Sequence, residues 1–367
     1  MILTAETVII GIMVIFAVAG GIDKIFGSKL GLGKEFEKGI LTIGQLIMTM
    51  AGIIFLSRAA AALLLPVVAP VYEFIGSDPA IFAGSLLACD MGGLPLAKEL
   101  AASEDAARLG GIIVSSMLGV TVSFTIPTAM AMTKKEDSSE VAKGILCGIL
   151  TVPVGILVGG LFAKMNILFV LVNILPTLPL ALIIAIGIWK FEKVIIKVFF
   201  VFGKIIGAIA VIGLMLSIMS ILLDVNPIKD VIPVDETLVT IGKISLVLAG
   251  AFPLMFVVNK LLSRPLVFLG KKLGLDGESM LGLIAGLVNS LVVFSAIEKM
   301  DKRGKVVNMA FAVSASFALG DHLAYTAAEC PEMILPMIAG KLFAGASAVL
   351  VAMLITKPKK QSKSSIT

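Results

Sequence analysis

Apolar residues run through this chain in long blocks, with polar residues gathered between them. Eleven such segments stand out, at about 4–23, 39–63, 80–97, 106–132, 140–163, 166–189, 195–223, 237–259, 278–297, 305–328 and 333–356. Most reach the roughly 18–20 residues that a helix needs to cross a hydrocarbon core. The first follows Glu6 rather than a basic region and lacks an A-x-A-like cleavage site, so it reads as a retained span. The predicted fold class is an all-α polytopic integral membrane protein.

Composition agrees. Of 367 residues, 58% are hydrophobic and only 15% charged, too few polar groups to cover a soluble protein of this size.

Charge then assigns topology, because Lys and Arg accumulate on the cytoplasmic side. Basic clusters flank segment 278–297 on both sides (Lys260, Arg264, Lys271, Lys272; then Lys299, Lys302, Arg303, Lys305). Both fit one face only if 278–297 is a re-entrant hairpin, turning near Asn289-Ser290. Segment 80–97, centred on "CDMGGLP", reads as a second hairpin from the opposite face. Nine spanning helices plus two hairpins follow, with the amino end outside and the carboxyl end cytoplasmic.

A weak internal repeat points the same way. Thr42-Ile43-Gly44 recurs as Thr240-Ile241-Gly242, Ala51-Gly52 as Ala249-Gly250, and Gly76/Asp78 as Gly274/Asp276. After a small insertion, Ser115…Gly119 meets Ser316…Gly320. By the charge argument the copies start on opposite faces, which makes them an inverted repeat with its site at the repeat interface. The expected units are a first span and basic loop (1–39), repeat 1 (40–163, a span, hairpin 80–97, a broken span, a span), connecting spans (164–236), repeat 2 (237–356, the same order with hairpin 278–297) and a basic cytoplasmic tail (357–367).

Ionisable groups inside apolar segments are costly and mark function. Asp90, with Gly92 and Gly93, forms one hairpin tip, and Asn289 with Ser290 the other. Asp90 reads either as a ligand for a cation or as a cap of the hairpin break. The spans after the hairpins are expected to break at their centres, near Ser115 and Thr121 in one and near Ser314, Gly320, Asp321 and His322 in the other, with Tyr325 close by. His322, the only histidine, admits three readings: proton sensor, substrate contact or packed structural imidazole. Glu73 reads as a loop-level gate or a solvated helix end, and Lys341 as a snorkelling lysine. Two buried acids without a clustered base favour a small cationic solute.

Other classes recede. Three scattered cysteines and one histidine indicate neither a disulfide framework nor a metal site. No Walker motif occurs, so no nucleotide cofactor is expected. The basic tail suits anionic lipid better than nucleic acid. An intramembrane aspartyl protease would also use two buried acids, but Ala318 stands where its GxGD pattern needs glycine.

Three stretches, "PVYEFIGSDPAIFAGSLLACDMGGLPLAKELA" (70–101), "MDKRGKVVNMAFAVSASFALGDHLAY" (300–325) and "MILPMIAGKL" (333–342), resemble the ethanolamine permease family EutH of bacterial ethanolamine utilisation. The resemblance covers nearly the whole chain. It implies a non-enzymatic permease of the bacterial inner membrane that takes up ethanolamine into the cytoplasm. The family's acidic motifs fall on Asp90-Met91-Gly92-Gly93 and Gly320-Asp321-His322; Ser290 departs from a double asparagine at the second tip. Protonated ethanolamine is expected between the tips, its ammonium on Asp90 and Asp321 and its hydroxyl on Asn289 and a neighbouring serine. Uniport with alternating access is the preferred mode. Ion-coupled or channel-like transport of a related small amine is the alternative, and a homo-oligomer, dimer before trimer, is expected.

Overall fold

The computed structural model describes residues 4–225 and 227–356. The basic tail expected at 357–367 lies outside the described residues.

All the regular secondary structure among the described residues is helical. The first helix is α1 (Ala5–Ile25), capped by the Thr4 side chain, which accepts from Thr7 N. Next come α2 (Leu32–Leu46) and α3 (Gly52–Ile75), which a π-helical turn at Ile47–Ala51 joins into one 44-residue run. Gly76 ends this run at φ +80°, a left-handed conformation natural to glycine. Two short helices follow, α4 (Ala80–Leu86) and α5 (Gly93–Leu100), then α6 (Glu104–Arg108), π-helical winding over Leu109–Gly119 and Thr121–Thr125, and α7 (Ile126–Met132). The middle of the chain holds α8 (Ser138–Phe162), α9 (Ile167–Ile174), α10 (Thr177–Lys190) and α11 (Glu192–Leu223). The second half opens with α12 (Val234–Leu273) and a second short pair, α13 (Gly277–Val288) and α14 (Ser290–Ala296). It closes with α15 (Lys302–Ala315), a non-helical step, α16 (Asp321–Glu329) and α17 (Ile334–Ile355).

Eight of these runs are long and apolar enough to cross a membrane. The ninth expected span, 305–328, is divided between α15 and α16. Its counterpart behaves differently. The break expected around Ser115 and Thr121 does not occur, because Glu104–Met132 stays continuously helical and takes up the irregularity as π-helical winding. Glycines and hydroxyls that loosen a helix are compatible with either outcome.

Burial sorts the helices. Glu104–Met132 is the innermost, with 94% of its apolar window buried, whereas α1 and α11 are at 17% and turn their side chains outward. Small residues allow the close crossings. A Cβ on Gly155 of α8 would meet Gly340 O of α17 at 2.8 Å, and one on Gly84 of α4 would meet Gly110 O at 2.1 Å.

Ion pairs collect at the two ends of the bundle. Lys134–Glu298 (2.7 Å), Lys305–Asp137 and Lys24–Glu37 lie towards one end. Lys98–Glu329 (3.4 Å) and Arg108–Glu332 (3.0 Å) lie towards the other.

Candidate functional site

The non-helical step at 316–320 is the centre of the site. Phe317 N donates to Gly286 O (3.1 Å) and Leu319 N to Leu287 O (2.9 Å), so the step pairs with the end of α13 as a short strand would. These bonds satisfy backbone groups that the break releases among buried residues. Phe317 holds φ +62°, an uncommon value for a non-glycine residue. Gly320 is required at the close approach, since a Cβ there would sit 2.0 Å from Val288 O.

The other short pair docks on the π-helical segment in a parallel way. Ala88 N donates to Ser123 Oγ (3.3 Å), and a Cβ on Gly119 would sit 2.0 Å from Leu87 O. The tip then turns through Cys89–Met91 and Gly92, whose φ of +96° only glycine adopts freely. Ala88, Val120 and Phe317 form one buried cluster, with Met91 and Phe124 against it. The first tip therefore meets the same step to which α13 is bonded.

Asp321, first residue of α16, projects into a cavity of about 270 Å³ that also touches Glu35, Lys38, Phe252, Val288 and Asn289. Asn289 Oδ1 caps α14 by accepting from Leu291 N (2.8 Å). On the inner side, His322 Nε2 faces Asp90 Oδ1 at 3.7 Å, and the imidazole lies 5.2 Å from the Phe317 ring. His322 Nδ1 is 3.2 Å from Lys341 Nζ, which also donates to Ser116 O. Since an ammonium can only donate, Nδ1 accepts and the imidazole proton sits on Nε2, towards the carboxylate.

Lys341 corrects the sequence-based expectation. It does not snorkel; its exposure is 0%. Its neighbours on α17 are apolar or small, so no local polar pattern signals the inward path. Its partners come from the π-helical segment and α16 instead.

Several expected residues are tied up elsewhere. Ser314 Oγ bonds Gly148 O and Thr151 Oγ1, and Thr121 Oγ1 bonds Met117 O and Val313 O, so both hydroxyls join helices. Glu73 is exposed and lines a separate cavity with Ser77, Asp78 and Asn173. Ser115 Oγ, Ser290 Oγ and Tyr325 Oη are buried with no protein partner among the described residues, a state that costs free energy unless water or a solute contributes. Cys89 Sγ, Asp90 and His322 bring ligand-type atoms within 4.8 Å of one another. Lys341 Nζ meets the same imidazole from its other side, at Nδ1.

The family profile described as "Ethanolamine utilisation protein, EutH" matches residues 5–355. The chain belongs to the EutH family. Among its relatives, the probable ethanolamine permease EutH of Listeria monocytogenes serotype 1/2a is 45% identical over 349 residues, covering 95% of this chain and 94% of that one. The protein of the same name from Escherichia coli K12 is 37% identical, covering 98% and 97%. The uncharacterized protein YxeR of Bacillus subtilis is 38% identical, also covering 98% and 97%. No solved structure matches the chain. Family membership and the eight long apolar runs together make this EutH-family chain a multi-pass membrane protein.

Proposed function

We propose that this protein is a permease that carries protonated ethanolamine across the bacterial inner membrane into the cytoplasm. The observation that carries the reading is the placement of Asp321 and Asn289 on one cavity at a helix break deep in an apolar bundle. A carboxylate there offers charge-assisted hydrogen bonds to an ammonium, and the amide suits a hydroxyl a short chain away. Asp90 stands behind that cavity wall, facing His322 Nε2 at 3.7 Å. The names of the relatives favour ethanolamine over other small amines.

The cavity is flanked by Glu35 and Lys38, at the end that carries most of the lysines. By the positive-inside rule that end is cytoplasmic, so the conformation described is inward-facing. The two short helix pairs, α4–α5 and α13–α14, act as re-entrant hairpins of an inverted repeat, and alternating access opens the space between them to one face at a time. An inside-negative potential favours a monocation by about 2.3 kcal/mol per 100 mV, so uniport can concentrate the substrate without a coupling ion. The outward faces of α1 and α11 meet lipid or a second copy in a homodimer.

The test is uptake of labelled ethanolamine into liposomes holding the purified chain. Asp321→Asn removes a charge-assisted contact of the kind worth about 1.5–3 kcal/mol, so uptake at low substrate should fall by roughly ten- to a hundredfold. Wild-type uptake by this variant at equal protein would sink the site assignment.

A further inference from the structure

We propose that Lys341 is a resident cation that sets the net charge of the binding region and thereby restricts transport to monocations. This deepens the permease reading and rests on it.

Burial of an ammonium at 0% exposure is tolerated only with partners that return what water supplied. Lys341 has Ser116 O and His322 Nδ1, and behind the imidazole stands Asp90 at 3.7 Å from Nε2. With the imidazole neutral, ammonium and carboxylate cancel through the ring that separates them. Asp90, His322 and Lys341 thus form a unit of zero net charge. Asp321 is outside this unit, on the cavity wall, and Lys38 and Glu35 at the mouth cancel as an ion pair at 3.7 Å. One carboxylate is left uncompensated. A monocation brings the region to neutrality, whereas a dication would leave one net positive charge in a largely buried region where little solvent screens it. Replacing the lysine by a neutral side chain would leave two uncompensated carboxylates, the complement of a diamine.

The experiment is competition for labelled ethanolamine uptake in liposomes, with unlabelled ethanolamine and 1,3-diaminopropane, a dication at neutral pH, as competitors. Wild type should be inhibited by ethanolamine and at least about tenfold less well by the diamine. Lys341→Met should reverse or abolish that ratio, and Lys341→Arg should retain it. Lys341→Met combined with Asp90→Asn returns the region to one net negative charge and should recover the preference for monocations. The double variant also keeps the test sharp if Lys341→Met alone fails to fold. Should it fold and favour the diamine, or should Lys341→Met fold and keep the wild-type ratio, the inference is overturned. Absence of uptake by wild type would instead overturn the permease reading.

Discussion

Lys341 Nζ lies 3.2 Å from His322 Nδ1, joining the sole histidine of the chain to a lysine with no exposed surface. The contact links α16 to α17 and, through Ser116 O, both helices to the π-helical segment. His322→Ala would leave the ammonium with one partner and open a cavity beside Phe317. Loss of a hydrogen bond to a charged group costs about 1.5–3 kcal/mol, so thermal unfolding in detergent should move clearly downward. His322→Gln retains an acceptor for the ammonium and should lose less. Equal melting temperatures for the alanine and glutamine variants would contradict the contact.

Much of the candidate site was legible because polar residues inside apolar segments have few places to go. Asp90, Asn289, Asp321 and His322 announced themselves in this way, and Gly92 and Gly320 marked the turns that bring them together. Lys341 was not legible, because its destination depends on Ser116 and His322, 225 and 19 positions away. The N-caps of α15 and α13, Asp301 and Asp276, whose carboxylates accept from Gly304 N and Ser279 N at 2.7 Å, were not singled out from the sequence. The difference between the two inner helices was hidden for another reason. Glycine and hydroxyl residues weaken regular winding without dictating whether the backbone widens, as at 109–119, or opens, as at 316–320.

Glycine substitutions separate packing from conformation. Gly320→Ala places a Cβ 2.0 Å from Val288 O and should displace the strand-like pairing of 316–320 with α13, while Gly242→Ala meets nothing within 4 Å. The first should abolish uptake or folding. The second, on α12, removes the helix penalty of glycine and should raise stability by about 0.5–1 kcal/mol. Size-exclusion profiles and melting temperatures of the two variants provide the comparison.

Asn289 caps α14 and also lines the cavity of Asp321. As cap of α14 it is worth about 1 kcal/mol, which Asn289→Ala should forfeit and Asn289→Asp should preserve. The aspartate, however, adds a second carboxylate to the cavity of Asp321. If the amide serves only as a cap, the aspartate variant should transport like wild type; if it also contacts the solute, uptake should change while the melting temperature holds.

Cys330 offers a chemical readout at the end of the bundle away from Lys134. Burial, reinforced by the Glu332 carboxylate, pushes its thiol up to about 12. The thiolate is the reacting species, so alkylation by maleimide at pH 8 should be slower than that of a free cysteine by at least about tenfold. Glu332→Ala removes the acceptor of the Sγ contact at 3.4 Å and should speed the reaction. A rate equal to free cysteine in the wild type would contradict the burial at this end.

The same end holds an ion pair that bridges α5 to α16. Glu329 closes α16, accepts from Lys98 of α5 (3.4 Å) and from Thr240 of α12 (2.9 Å), and lies over the cavity that touches Tyr325. In the alternating-access cycle proposed above, the outward-facing state parts this contact, whose two residues both line the cavity that touches Tyr325. Ion pairs this exposed contribute little to stability, about 0–1 kcal/mol, so a transport cycle can break and remake the pair. Lys98→Cys with Glu329→Cys, joined by a short bis-maleimide, should therefore stop uptake, and each single variant treated alike should continue to transport. Uptake that persists after complete crosslinking would rule out movement between α5 and α16 and favour a pore gated elsewhere.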